Sequence, residues 1–310
     1  MKFAIIGGSG FIGQRICKKL KKNFYILDKV APKNYANKYI KSDVNNIFSL
    51  GKNINEKSVI INLAAEHRDD TFPISKFYKT NYEAAKKICK IAELKKITKI
   101  IFFSSVAVYK KSDKPINECA PTGFVNDYGY SKLLAEKVYI EWQKRNPNSN
   151  QLIIIRPTVV YGRGNSNNII RLIKIIKKRL IIFPGNGLNI KSTAYVENLV
   201  DFTLHVIKNT QKKLKIYNYA DSELLTMNDF IKFCIKNFKY KFFFFINLNI
   251  KVVKILIFLL KKISFINQNI KILIQRIEKV STNSIIISKE KVRLKKIIST
   301  EMALKKIINE

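Results

Sequence analysis

The sequence predicts an α/β fold, a doubly wound parallel sheet with helices on both faces, and three observations predict it. Short apolar runs that read as buried strands alternate with helical stretches over the first 160 or so residues. The first run ends in a glycine-rich turn that opens a helix, and the second ends in an acidic residue. Lys2-Phe3-Ala4-Ile5-Ile6 is the first strand and Phe24-Tyr25-Ile26-Leu27 the second. Val59-Ile60-Ile61-Asn62 is the fourth, and Lys99-Ile100-Ile101-Phe102-Phe103 the fifth. Leu152-Ile153-Ile154-Ile155, closed by Arg156-Pro157, is the sixth. Helical stretches fill about 74–97 and 129–145 between them.

Gly7-Gly8-Ser9-Gly10-Phe11-Ile12-Gly13 follows the first strand and leads into a helix marked by Ile16 and Leu20. Glycines at 7, 10 and 13 let the turn tighten, the backbone approach a pyrophosphate, and the helix pack on the strand. The helix N-terminus adds free amides and the positive end of its dipole. Asp28 can accept hydrogen bonds from an adenosine ribose and would repel a 2′-phosphate, which favours NAD over NADP. Lys29 beside it moderates that preference. Ala64 and Ala65 end the fourth strand in small side chains, leaving room for a cofactor in the crevice of an open sheet. These features predict a Rossmann-type domain over residues 1–165 and a smaller C-terminal substrate domain over 166–310, with the sheet recruiting parts of 190–220.

Tyr128-Gly129-Tyr130-Ser131-Lys132 carries the chemistry, with Ser105 upstream. A Tyr and a Lys four residues apart share a helix face. A neighbouring ammonium favours phenolate and lowers the Tyr pKa from its usual ~10. Such a base takes a hydroxyl proton while a hydride leaves the same carbon. The plainer alternative, an amphipathic helix with an incidental Tyr, fits the pentapeptide alone but not the glycine turn and acid around it.

The Gly7-x-x-Gly10-x-x-Gly13 turn, Asp28, Asp43-Val44, Ser105 and Tyr128-x-x-x-Lys132 resemble an extended short-chain dehydrogenase/reductase of the NAD-dependent sugar epimerase/dehydratase group. Longer runs are Leu63-Ala-Ala-Glu-His-Arg-Asp-Asp70, Ser104-Ser-Val-Ala-Val-Tyr109, Ile155-Arg-Pro-Thr-Val-Val-Tyr-Gly162 and Gly187-Leu-Asn-Ile-Lys-Ser-Thr-Ala-Tyr-Val-Glu-Asn198. They are similar to bacterial 4-epimerases that act on N-acetylglucosaminyl-diphospho-undecaprenol for surface polysaccharide. The resemblance covers roughly residues 1–230. It implies that Gly7, Gly10, Phe11, Ile12 and Gly13 hold the NAD pyrophosphate, Asp28 the adenosine ribose, and Asp43 and Val44 the adenine edge. Leu63, Ala64 and Ala65 would line the cofactor cleft. Tyr128 would be the catalytic base and acid, Lys132 would tune it and hold the nicotinamide ribose, and Ser105 would hydrogen-bond the reacting oxygen. Ser104 is the competing assignment. Glu66, His67, Arg68, Lys191 and Tyr195 are the expected contacts of a sugar diphosphate, His67 being equally well an ordinary loop residue.

Three departures bear on the substrate. Lys110 stands where this group usually has Gly. Arg156-Pro157-Thr158-Val159 lacks the Arg-x-x-Asn that helps hold a nucleotide sugar. Val106-Ala107 cannot do the acid/base work of a dehydratase pair at that place. The expected reaction is therefore 4-epimerisation of an N-acetylhexosamine on a polyprenyl diphosphate. A soluble nucleotide-sugar epimerase or reductase, and a non-catalytic NAD-binding protein, are the alternatives.

A chain of 310 residues can bury a large core. Its four cysteines have no paired spacing and read as reduced thiols, and two histidines make a histidine metal site unexpected. The formal charge is +36, but only nine of the basic residues are arginine and the lysines are spread along the chain. Nucleic-acid recognition wants clustered Arg forks and aromatic platforms, so that partner is excluded. A positive surface attracts anionic lipid at ~1 kcal/mol per basic residue. With no leader visible before the first strand, a cytoplasmic protein, peripheral on the inner face of the cell membrane, is expected, with a homodimer as a further partner class.

Past the sixth strand the sequence predicts a helix near 167–178, a helix to about Lys208, the strand Leu214–Tyr219, and a helix capped by Thr226. In the run 242–260, fifteen apolar residues are interrupted by Asn247, Asn249, Lys251 and Lys254. The apolar residues contribute about −0.3 to −0.6 kcal/mol each, roughly cancelling the two lysines at about +2.5 to +3.5 each. The asparagines tip the balance against insertion. The expectation for 242–275 is a helix lying at a membrane surface, the alternative being a buried helix of the substrate domain.

Overall fold

The computed structural model describes residues 2–165, 168–264, 268–290, 292–294 and 296–309. The chain opens with β1 (Phe3–Ile6), α1 (Phe11–Leu20), β2 (Phe24–Asp28), β3 (Tyr39–Lys41), α2 (Ile47–Asn53) and β4 (Val59–Asn62). A short helix α3 (Ser75–Phe77) runs through a π-helical turn (Tyr78–Glu83) into α4 (Ala84–Leu94). Then come β5 (Lys99–Phe103), α5 (Asp127–Arg145), β6 (Gln151–Pro157), β7 (Val159–Tyr161), α6 (Asn168–Ile176), β8 (Leu180–Pro184) and β9 (Thr193–Tyr195). The remainder is α7 (Val196–Asn209), β10 (Leu214–Tyr219), α8 (Met227–Asn237), β11 (Phe244–Leu248), α9 (Ile250–Ser264), α10 (Gln268–Ser281) and α11 (Thr300–Ile308).

Seven strands form one parallel sheet in the order β10-β6-β5-β4-β1-β2-β3. The winding reverses between β1 and β4, so the crevice beyond their carboxyl ends is the switch point where such sheets bind ligands. The central strands β1, β4 and β5 are largely apolar because both faces are covered. One face packs Ala4, Ile6 and Ile60 against Ile88, Tyr139 and Trp142 of the helices α4 and α5. The other packs Ile5, Ile26 and Ile61 against Ile16 of α1 and Leu199 and Val206 of α7. The Rossmann-type doubly wound fold is present as the apolar runs predict.

Beyond residue 165 the division is less simple. Residues 196–219 belong with the first sheet: α7 covers it and β10 is its edge strand, a recruitment the sequence reading allowed for 190–220. The smaller unit pairs β7 with β9 and β8 with β11, and its core joins Ile173, Phe183, Tyr195, Phe230 and Leu304. Thr226 caps α8 with a full capping box, its hydroxyl meeting the Asp229 amide. The predicted start of the preceding helix at residue 167 lies outside the described residues.

The run 242–260 is not one helix. Phe244–Leu248 is a strand paired in parallel with β8, and the helix begins only at Ile250. Asn249 makes the break, accepting the Lys251 amide at 2.8 Å as a helix cap does. Of the 242–275 segment, residues 265–267 lie outside the described residues. Among the described residues, no helix is long and apolar enough to cross a membrane.

The chain's last part returns to the first unit. Ile286 bridges Ile116, and Ser284 bridges Lys191. Glu118 grips this strap, accepting from Ser288 Oγ at 2.9 Å and the Lys289 amide at 2.8 Å while also taking the Asn218 amide at 2.7 Å.

Candidate active site

The glycine turn forms because no side chain fits it. A Cβ on Gly7, which sits at φ +78, would lie 2.7 Å from the Ala64 amide nitrogen; one on Gly13 would lie 2.6 Å from the Gly8 Cα. The β1 turn, the β4 end and the start of α1 thus meet backbone to backbone. Gly10 is the N-cap of α1 and offers no side-chain cap, so the first-turn amides of Phe11, Ile12 and Gly13 are not taken by one. Asp28 closes β2 beside this turn, accepting the Ser9 amide at 3.0 Å and the Val30 amide at 3.3 Å. Lys29 is drawn to Asp43 at 3.2 Å rather than left beside the ribose position. Val44 is buried, and Leu63, Ala64 and Ala65 are half-buried along the β4 end. A cradle with no room for Cβ atoms, a helix N-terminus and a carboxylate at the end of the second strand fit NAD.

Across the crevice, Ser105 ends β5 and caps a short 3₁₀ turn, accepting the Ala107 amide at 3.2 Å. Its hydroxyl lies close enough to the Tyr128 phenol to favour the phenolate. Ser104, the competing candidate, is buried with its hydroxyl unpartnered. Tyr128 lies in the first turn of α5, capped by Asn126, whose side chain takes the Gly129 amide at 2.9 Å. Gly129 permits the approach: a Cβ there would lie 2.2 Å from the Ala107 carbonyl oxygen.

The electrostatics differ from the sequence expectation. Burial pushes the Tyr128 phenol above its usual value, and the nearby Ser105 hydroxyl opposes that rise. Lys132 is buried, donates to the Phe103 carbonyl at 2.5 Å and lies 4.2 Å over the Phe102 ring. Burial holds its ammonium down to about 7, the Glu136 carboxylate pulling the other way. Lys132 is thus itself a perturbed group, and in this arrangement it does not depress the phenol. Sequence spacing shows the shared helix face but not how far the lysine is desolvated.

Glu136, one turn on, forms a buried fork with Arg156 at 2.9 and 2.6 Å. Arg156 also donates to the Tyr109 hydroxyl at 2.7 Å, which donates in turn to Asn218 at 2.9 Å. Arg156 is therefore committed to holding α5, β6 and β10 together. Val159, where the Asn of Arg-x-x-Asn would stand, is 50% exposed and has no donor to offer a diphosphate. The stem of Lys110 lies over Gly123, where an added Cβ would meet its Cγ at 2.2 Å. The lysine that departs from the family pattern is thus accommodated by a glycine thirteen residues on.

The other candidates make contacts of their own. Glu66 is turned inward, accepting Thr71 Oγ1 at 2.9 Å and the His67 amide at 3.2 Å. His67 and Arg68 are exposed, and Arg68 pairs with Asp70 at 3.0 Å. Lys191 is half-buried, its Nζ 3.5 Å from Thr282 Oγ1. Tyr195 is buried, its ring 5.6 Å from that of Tyr161 and its amide donating to Asp221 at 2.6 Å. Asp221 is pushed up to about 6 by burial, against the bonds it accepts from Tyr195, Asn198 and Tyr219. Sequence reasoning missed Asn81. Its buried amide clamps both backbone groups of Glu66, at 2.9 and 3.0 Å, and donates to Ser131 Oγ at 2.9 Å. Ser131 in turn donates to the Tyr128 carbonyl at 2.8 Å, so Asn81 ties the 63–66 segment to the helix bearing Tyr128. Asn81 lies in the polar run Lys79-Thr80-Asn81-Tyr82-Glu83, where no sequence pattern sets it apart.

Among the described residues no cluster of His, Cys, Asp and Glu could hold a metal ion. Cys17, Cys89 and Cys234 are buried thiols and Cys119 is exposed, all free.

The comparisons agree with this geometry. The chain is 37% identical over 229 residues to the N-acetyl-alpha-D-glucosaminyl-diphospho-ditrans,octacis-undecaprenol 4-epimerase of Escherichia coli O157:H7, covering 73% of this chain and 69% of that one. It is 26% identical over 245 residues to a UDP-glucose 4-epimerase of Vibrio cholerae, covering 74% and 73% of the two. The structure of MoeE5 in complex with UDP-glucose and NAD shares the fold at a TM-score of 0.76 and 16% identity, covering 100% of this chain and 98% of that one. With the sequence model of that family matching residues 3–220, the chain belongs to the NAD dependent epimerase/dehydratase family.

Proposed function

We propose that this NAD-dependent sugar epimerase inverts C4 of an N-acetylhexosamine carried on a polyprenyl diphosphate. The observation that carries the reading is the 37% identity, over 73% of the chain, to a relative named for that substrate.

NAD, when bound, supplies the hydride acceptor and donor. The Tyr128 Oη takes the proton of the sugar 4-hydroxyl, and the Ser105 hydroxyl, close to the Tyr128 phenol, holds the reacting oxygen. Lys132, one turn along, holds the nicotinamide ribose. The 4-keto sugar turns over in the crevice and is reduced on its opposite face, Tyr128 returning the proton. Asn81 and Gly129 position Tyr128, and Glu66, His67, Arg68, Lys191 and Tyr195 surround the sugar diphosphate.

A second reading, a soluble nucleotide-sugar 4-epimerase, is favoured by the Vibrio cholerae relative. Incubating the protein separately with N-acetylglucosaminyl-diphospho-undecaprenol and with UDP-N-acetylglucosamine, and scoring the galacto product and retained NAD, distinguishes the two. Product from the lipid-linked sugar alone supports the first reading. Product from the nucleotide sugar alone replaces it with the second, and none from either overturns both.

A further inference from the structure

We infer that β11 and α9 form a docking surface for an anionic lipid bilayer. Val252, Ile255, Leu256 and Leu259 recur at helical spacing and form one stripe along α9, each at least 44% exposed. Val253, about 100° further round from Val252, faces the protein and is buried. Lys251, Lys254 and Lys261, all exposed, run along the side of the helix away from that stripe, with Lys261 meeting Glu278 at 3.0 Å. The preceding strand repeats the arrangement with the other period. Phe244 and Ile246 face outward at 70% and 49% exposure, and Ile182 across from Ile246 is 58% exposed. Phe243 and Phe245 face the core.

Scattered apolar side chains on a surface are ordinary, but a continuous stripe of them marks something that covers it. The charge around it selects the cover. Residues 230–277 hold ten Lys and Arg and no Asp or Glu. An apolar face bordered by lysine is the pattern of a helix lying in the headgroup region of an anionic membrane. A second copy of the chain would bring the same lysine-rich face to a self-complementary contact, setting like charge against like. The helix is also too short to span, so it lies along the bilayer rather than through it.

The surface deepens the proposed function, since a substrate anchored in lipid has to be met at the membrane. It rests on its own observations and is tested without substrate, so protein that binds vesicles but does not turn over the lipid-linked sugar loses that reading and keeps this one. The experiment is co-sedimentation of the full chain with vesicles of phosphatidylcholine alone or mixed with phosphatidylglycerol. The test variants are Ile255→Ser/Leu259→Ser and Lys251→Glu/Lys254→Glu, with light scattering on each. Wild type is expected to pellet with the mixed vesicles and to be released by salt. Each double variant is expected to bind at least roughly tenfold less tightly, with unchanged melting because the altered side chains are exposed. Wild type that stays in the supernatant with both vesicles overturns the inference, as does binding that neither variant weakens. A dimer broken by the Ile255/Leu259 variant, without vesicle binding, assigns the surface to a second copy instead.

Discussion

Gly129 stands against the Ala107 carbonyl oxygen so closely that an added Cβ would come within 2.2 Å of it. Helix propensity alone would favour alanine there by about 1 kcal/mol. The contact wins, because the obstructing atom is backbone and cannot swing aside. Gly129→Ala is expected to destabilise the protein by about 1–3 kcal/mol in urea unfolding. It is also expected to reduce turnover further, since the helix start that places Tyr128 beside Ser105 has to shift.

Tyr128→Phe should lower turnover by about 10²–10⁴-fold while leaving NAD binding and melting in place. The two neighbouring serines separate cleanly. Ser105→Ala removes the hydroxyl that lies near the phenol and should lower the rate, whereas Ser104→Ala removes a buried hydroxyl without a partner and should leave it unchanged. Parallel assays of the two variants check this, and equal losses would contradict the assignment.

Lys132 titrates near 7 in the folded protein and near ~10.4 once unfolded. Between those values the unfolded chain holds more protons, so this residue's burial is most costly below pH 7 and relieved as pH rises. Relative to wild type, Lys132→Met is therefore expected to be more stable at about pH 6 than at about pH 9.5. The difference is at most about 3 kcal/mol, from ~1.4 kcal/mol per pH unit. Urea unfolding of both proteins at the two pH values measures it; parallel curves would refute it.

Glu136 and Arg156 are both nearly fully buried, so removing one strands the other. Glu136→Gln or Arg156→Met alone is expected to cost about 3–5 kcal/mol, while replacing both by apolar residues of similar volume costs less than either. A double-mutant cycle on unfolding free energy tests the non-additivity.

The first six strands of the main sheet, apart from the short third, were legible because each is a buried apolar run with turn residues on both sides. Ser105, Tyr128 and the glycine turn were legible because their geometry is local. Two features were not. Phe242-Phe243-Phe244-Phe245 hides its two-residue alternation, since outward Phe244 and inward Phe243 and Phe245 are the same residue type. Strand and helix therefore ran together in the sequence, and Asn249 was the overlooked boundary. The state of Lys132 depends on Phe102, Phe103 and Glu136, and the positioning of Tyr128 on Asn81, none of which the Tyr-x-x-x-Lys spacing reports.

Asn198 receives the Ile298 amide at 2.9 Å and donates to its carbonyl at 2.8 Å, across a separation of 100 residues. A nascent chain elongating at about 5–20 residues per second needs roughly 5–20 s to cover that distance. During that interval the buried amide lacks these two bonds, and the pocket that Leu304 later plugs stays uncovered. The glycine cradle and the Tyr128 helix are synthesised long before, so the protein must be shielded from aggregation in a half-built form whose cofactor half is already complete in sequence.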